Sequence, residues 1–113
     1  MDLDSAASAH TQWKTKLRMA INNKEKVDAA AIGRDDACEL GKWLHGPGKV
    51  HASKPAFADV VTKHKAFHAE AGKVALLINA SKFADAEAAL SAPAYTTASS
   101  ATVSAILQLK KST

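Results

Sequence analysis

Apolar residues recur at the spacing of an α-helix through almost the whole chain, and this periodicity limits the possible folds most strongly. The clearest stretch follows Pro55, where positions 57, 61, 64, 68, 71, 75 and 78 alternate steps of four and three residues. This spacing places the side chains on one helix face, as at the seam of a bundle. Alanine dominates the apolar residues and aromatics are only 5% of the chain, a composition that favours packed helices over a sheet.

Two helices are predicted before this seam. Asp4 or Ser5 can cap the first helix, whose apolar stripe comprises Ala6, Ala9, Trp13, Leu17 and Ile21. The polar stretch at 22–28 predicts a loop. A short second helix is expected from Asp35 to Leu44, because the HGPG sequence at 45–48 cannot continue it cheaply.

The long third helix is predicted to begin after Ser53, which can cap it. A short helix through Phe83 and Leu90 follows, and Pro93 marks a break before the last helix, which carries Tyr95, Ala98, Thr102, Ile106 and Leu109. Four main helices with short connections predict an all-α fold, a four-helix bundle with an additional short helix. The length predicts a single domain over residues 1–113.

Composition and charge exclude several classes of protein. The formal net charge is +4, but the lysines are scattered, which disfavours a nucleic-acid interface. No apolar run reaches the roughly 20 residues that span a bilayer. The first ten residues lack the basic and apolar regions of a signal peptide, and a single cysteine cannot form an intramolecular disulfide. We therefore expect a cytoplasmic protein that contacts neither nucleic acid nor membrane.

Four residues with metal-binding side chains fall on the predicted apolar stripes. His64 and His68 are four residues apart and share one helix face. Alone, such a pair is more often at the surface or bonded to backbone carbonyls. However, His10 lies on the stripe of the first helix, and Cys38, the only thiol, lies in the apolar part of the second. Together they supply the number and type of ligands that tetrahedral Zn²⁺ takes, which predicts one zinc ion per chain.

Three sequence blocks around these residues resemble the chemoreceptor zinc-binding (CZB) domain family. They are HTQW at 10–13, CELGKW at 38–43 and HKAFH at 64–68. The resemblance implies that His10, Cys38, His64 and His68 are the zinc ligands. Trp13, Gly41 and Trp43 occupy motif positions that are not ligands. We expect Gly41 to let another helix or the metal approach closely, and both tryptophans to shield the site from water.

The resemblance also implies a biological setting. CZB domains are bacterial and cytoplasmic, usually dimerise, and mostly lie at the C-terminus of chemoreceptors, while others are joined to diguanylate cyclases. We therefore expect a homodimer that acts on a signalling domain of the same protein, with this chain an excised fragment. The signal would be zinc itself or an oxidant such as hypochlorous acid that reacts at Cys38. A helical dimerisation module with a purely structural zinc is the alternative.

The predicted site is regulatory rather than catalytic. Three imidazoles and a thiolate fill a tetrahedral shell, whereas a catalytic zinc keeps one position open for water. The chain has no glycine-rich phosphate loop and no second group of catalytic side chains. It also lacks the Glu-x-x-His motif of di-iron bundles. His45 and His51 lie outside the three blocks and are expected not to contact the metal.

Overall fold

The computed structural model describes residues 1–113 as an all-α helical bundle, which confirms the predicted fold class. Its elements are α1 (Leu3–Asn23), α2 (Ala29–Ile32), α3 (Glu39–Leu44), a 3-10 helix (Pro47–His51), α4 (Pro55–Asn79), α5 (Phe83–Ser91) and α6 (Pro93–Ser112). The main contacts join α4 with α6, α1 with α6, and α4 with α5. None of the helices combines the length and apolarity that crossing a membrane requires.

The first helix begins earlier than the sequence suggested. Its N-cap is Asp2, whose carboxylate accepts from the backbone N–H groups of Asp4 at 3.0 Å and Ser5 at 3.2 Å. The prediction of Asp4 or Ser5 as the cap was therefore wrong. The earlier start adds Leu3, only 7% exposed, to the buried face. Ala9, which we had placed on the apolar stripe, is exposed.

The region between α1 and α4 differs most from the prediction. A four-residue helix, α2, lies in the stretch without predicted structure and is capped by Asp28. The second helix does not start at Asp35, because residues 35–38 form turns and α3 begins only at Glu39. Cys38 therefore lies at the N-cap of α3, with extended backbone, rather than inside a helix.

The start of α4 is only partly as predicted. Lys54 is the N-cap and makes no side-chain capping bond, so Ser53 as cap was wrong. The first turn does contain Pro55, whose missing N–H costs nothing at that position. The seam positions of α4 are buried as expected, except that Val61 is only half-buried.

The core consists of two apolar clusters with a polar layer between them. One cluster includes Leu17 of α1, Phe67 of α4 and Tyr95 of α6. The other includes Leu3, Ala6, Ala7, Leu40, Leu44, Phe57, Val60, Ala105, Ile106 and Leu109. On α1 the residues between the two clusters include His10, and on α4 they include His64. The core is therefore interrupted by buried imidazoles part-way along a bundle 43 Å long.

Candidate metal centre

The four predicted ligand residues converge on one point in the bundle. The Sγ atom of Cys38 lies 3.8 Å from Nε2 of His10, 3.2 Å from Nε2 of His64 and 3.6 Å from Nε2 of His68. All four ligand atoms lie within 4.8 Å of one another. In a tetrahedral zinc site, bond lengths of about 2.3 Å to sulfur and about 2.05 Å to nitrogen separate S from N by about 3.6 Å. The donor set and its spacing therefore fit Zn²⁺.

Backbone carbonyls orient two of the imidazole rings. Nδ1 of His10 lies 2.8 Å from the carbonyl oxygen of Ala6, one turn earlier on α1. Nδ1 of His68 lies 2.8 Å from the carbonyl oxygen of Ile32, the last residue of α2. Because a carbonyl oxygen only accepts, each Nδ1 must carry the proton and donate it. The lone pair of each ring is therefore on Nε2, the atom that faces Cys38.

Burial keeps the imidazoles in the neutral form that binds a metal. The side chains of His10, His64 and His68 are 1–2% exposed, and loss of solvation lowers the pKa of each. The pKa of His64 falls to about 3, first because of burial and then because of the neighbouring His68 and His10. At neutral pH, therefore, protons do not compete with zinc for the ring nitrogens.

The thiol of Cys38 has a different environment. Burial raises its pKa, although the residue is only partly buried. The backbone N–H of Gly41 lies 3.4 Å from Sγ and donates to it, which favours the thiolate. Binding of a divalent cation must therefore release a proton from Cys38, because the thiolate is the ligand form.

Gly41 is required by the turn that precedes α3. A Cβ atom at this position would lie 1.8 Å from the carbonyl oxygen of Asp35 and 3.0 Å from the Cα of Asp36. The group that approaches Gly41 is thus the backbone of the 35–36 turn, not another helix or the metal as we expected. The missing side chain at Gly41 therefore lets the 35–36 turn pack closely on α3, just before Cys38.

The two tryptophans of the motif have different surroundings. The ring of Trp13 lies edge-on to His68, with 6.4 Å between centroids, beside the ligand cluster. Trp43 instead packs on the rings of His51 at 5.8 Å and Phe57 at 6.4 Å. A Cβ at Gly48 would lie 2.7 Å from the Trp43 ring. Trp13 therefore lies beside the ligand cluster, whereas Trp43 packs against the 3-10 helix; the shielding of the site from water stays a prediction.

The other two histidines lie outside the ligand cluster. His45 is the C-cap of α3, and its Nε2 lies 3.4 Å from the carboxylate of Asp35. His51 ends the 3-10 helix beside Trp43. No second cluster of three or more histidine, cysteine or acidic side chains is arranged to hold a metal ion.

Sequence reasoning missed the groups that position the ligands. The carbonyl of Ala6 could have been found, because it lies four residues before His10 on the same helix. The Ile32 carbonyl could not, because α2 was not predicted. Thr102 of α6 was predicted only as an apolar-stripe residue, but its hydroxyl lies 3.0 Å from the carbonyl oxygen of Lys63, next to His64. It also lies 2.9 Å from a carbonyl on its own helix.

Comparison with protein families gives one match. The model of the chemoreceptor zinc-binding domain matches residues 10–75, more than half of the chain. The matched segment begins at His10 and contains Cys38, His64 and His68. The chain belongs to the CZB family.

Membership of the CZB family confirms the resemblance seen in the sequence. CZB domains are regulatory or sensory rather than catalytic. They occur in signalling proteins and typically dimerise. Neither the curated proteins nor the solved structures contain a significant match to this chain. The family and the donor set therefore agree on zinc as the cofactor of this CZB domain.

Proposed function

We propose that this chain is the zinc-binding sensory domain of a bacterial signalling protein, a cytoplasmic chemoreceptor. In this proposal His10, Cys38, His64 and His68 bind one zinc ion. The main support is the set of three Sγ–Nε2 separations, 3.2–3.8 Å, which suit a tetrahedral ion. When bound, zinc holds Sγ as a thiolate and links α1, α4 and the start of α3.

Two features of the site favour regulation over catalysis. Four protein donors leave no open position for a substrate or water, as is typical of non-catalytic zinc. The three histidines are almost completely buried, which leaves little of their surface for a substrate to contact. The site can therefore change the structure through its occupancy and through the chemistry of its one thiolate.

Oxidation of Cys38 is the step that we propose as the signal. The thiolate attacks hypochlorous acid, an S–O bond forms as the O–Cl bond breaks, and chloride leaves with the electron pair. The product, a sulfenic acid, is a weaker zinc ligand. Apart from Cys38, α3 is held in the core mainly by Leu40 and Leu44. Loss of the sulfur ligand would therefore free the start of α3 and alter the packing of the domain.

Hypochlorous acid titration of the zinc-loaded domain tests this step. Zinc release is measured with a chromogenic chelator, oxidation of Cys38 by mass spectrometry and helix packing by tryptophan fluorescence. We expect zinc release to follow Cys38 oxidation one to one. A His45→Gln variant is the matched control and should behave like the wild type, because His45 lies outside the cluster. Zinc that stays bound after Cys38 is oxidised would refute the oxidant signal.

Zinc itself can also be the signal, because its occupancy alone links three elements of the bundle. A domain that responds to zinc would change dimerisation or partner output when zinc is added, without any oxidant. The Cys38→Ser variant separates both versions from a purely structural zinc. If the substitution removes zinc but leaves fold and output unchanged, sensing is excluded.

We also propose the setting of the domain. The chain would form a single domain of a longer cytoplasmic protein, act as a homodimer, and control a chemoreceptor or, alternatively, a diguanylate cyclase. The support is the family, whose members occur in signalling proteins and typically dimerise. Light scattering of the purified domain tests the dimer: a monomer at micromolar concentration would contradict it.

A further inference from the structure

Two cavities reach the ligand cluster, and both of them meet at Cys38. The first, about 260 Å³, lies between α1 and the start of α3 and is lined in part by His10, Cys38 and the charged side chains of Lys16 and Glu39. The second, about 180 Å³, lies between α1 and the segment from α2 to α3. Its lining contains no charged residue and consists of Trp13, Ala31, Ile32, Ala37, Cys38 and His68.

Cys38 is the accessible donor of the cluster. The three histidine ligands are only 1–2% exposed, whereas Cys38 is partly exposed. Cys38 is therefore the most exposed of the four donor residues, and it lines both cavities.

Trp13 forms a wall of both cavities, and so it lies between the two approaches to Cys38. The indole is fixed from two sides. Its inner edge packs near His68, and Nζ of Lys16 lies 5.1 Å from the ring centroid, within the range of a cation–π contact. A smaller side chain at position 13 would join the two cavities and widen the path to Sγ.

We propose that Trp13 limits the access of small uncharged oxidants to Cys38, and that these molecules reach Sγ through the uncharged second cavity. The inference rests on the proposed function, in which the Cys38 thiolate is the reacting group. With hydrogen peroxide, the thiolate attacks one oxygen, an S–O bond forms as the O–O bond breaks, and hydroxide leaves with the electron pair. Trp13 is a positioning residue here, because it takes no part in the reaction.

The test compares rates of Cys38 oxidation by hydrogen peroxide in zinc-loaded variants, followed by mass spectrometry. Trp13→Ala should react about tenfold faster than the wild type, because reactivity depends on access to the thiolate. Ala31→Leu, which partly fills the second cavity, should react more slowly. Trp43→Ala is the matched control, a tryptophan that lines neither cavity, and should leave the rate unchanged.

A second measurement avoids the metal. Alkylation of the zinc-free, reduced variants by N-ethylmaleimide should follow the same order, since it reports access to Sγ alone. Zinc affinity, measured by chelator competition, checks that each variant keeps its ligands. If Trp13→Ala fails to bind zinc, the slower oxidation of Cys38 expected for Ala31→Leu still tests whether access to Sγ limits the reaction.

The failures of the two proposals are distinguishable. Equal rates in the wild type, Trp13→Ala and Ala31→Leu would overturn the role of Trp13 while leaving Cys38 as the sensor. A wild-type Cys38 that neither peroxide nor hypochlorous acid oxidises would overturn the proposed oxidant signal and this inference together.

Discussion

Tyr95 is the one buried side chain whose polar atom has no hydrogen-bond partner. Tyr95 is 1% exposed, and its ring packs on Phe67 with 5.5 Å between the ring centroids. An unpaired hydroxyl in an apolar cluster loses its hydration without a replacement bond. Burial also raises the pKa of Tyr95 to about 12, because the phenolate would be even less well solvated there.

Replacement of Tyr95 by phenylalanine should therefore stabilise the domain, by about 1 kcal/mol at neutral pH. The pKa of Tyr95 in the folded state lies above the unfolded value of about 10. Ionisation of Tyr95 therefore does not affect the free energy of unfolding below pH 10, but it lowers that free energy as the pH rises from 10 toward 12. Urea unfolding at pH 7 and thermal melts from about pH 9 to 12 measure both effects. If the wild type and Tyr95→Phe lost the same stability between about pH 9 and 12, this account would be contradicted.

Gly41 is the second residue with a definite consequence. An alanine there would place its Cβ 1.8 Å from the carbonyl oxygen of Asp35, so the turn before Cys38 must move. Such a shift misplaces Sγ and should weaken zinc binding by about 10- to 100-fold. Chelator competition measures the affinity, and Lys42→Ala, an exposed change on the same helix, is the control. Unaltered affinity in Gly41→Ala would show that the turn does not position the ligand.

At the level of elements, the close contact of α2 with α4 requires a glycine at position 72. A Cβ at Gly72 would lie 2.8 Å from the Cα of Gly33, whereas a Cβ at Gly33 would meet the Cα of Gly72 at an ordinary 3.7 Å. Gly33 follows Ile32, whose carbonyl accepts from His68. Gly72 lies one turn beyond His68 on α4. The close approach of α2 to α4 therefore brings the Ile32 carbonyl within hydrogen-bond distance of His68, a candidate zinc ligand.

The Gly72→Ala substitution should push α2 away from α4 and weaken the bond between Ile32 and His68. We expect a decrease of about 10- to 100-fold in zinc affinity, as for the loss of other groups that orient a ligand. Cobalt substitution reports the ligand field through its visible absorption. Gly33→Ala is the matched control, because its Cβ fits with less disturbance. Equal spectra and affinities for the two variants would argue against this role of α2.

Across the whole molecule, a zinc ion bound by the four candidate ligands would stabilise the polar layer between the two apolar clusters. Without the ion, three neutral imidazoles and a thiol occupy the core with few partners, whereas binding adds a free energy that depends on the ratio of zinc concentration to Kd. The candidate ligands come from α1, α4 and the N-cap of α3, so a bound ion would crosslink segments that are far apart in the chain.

Removal of zinc by a chelator should lower the Tm of the domain by several degrees, about 4 °C or more for each kcal/mol of binding energy lost. Amide exchange should increase first in residues 24–54, which contain the short elements α2 and α3. Scanning calorimetry and hydrogen exchange measure both effects, and Cys38→Ser provides a zinc-poor reference. An unchanged Tm and exchange pattern would mean that the ion does not support the bundle.

The long helices and the nine-residue α5 were predictable, whereas α2 and the start of α3 were not. The seam of α4 repeats over seven positions, so its period identifies the helix and the buried face on which His64 and His68 lie. The four residues of α2 are too few for any period to show. The N-cap position of Cys38 was missed because α3 starts only after the 35–38 turns, whose geometry depends on the contact between Gly41 and Asp35.

The sequence by itself determined the helical bundle, the family and the four candidate zinc ligands. It could do so because periodicity, residue type and spacing are local properties of the chain. Only the tertiary structure decided that the Ile32 carbonyl orients His68, a contact between residues 36 positions apart. It also decided that Trp13, and not Trp43, lines the two cavities that reach Cys38. These contacts depend on how helices cross, which is decided by packing between distant segments rather than by any local pattern.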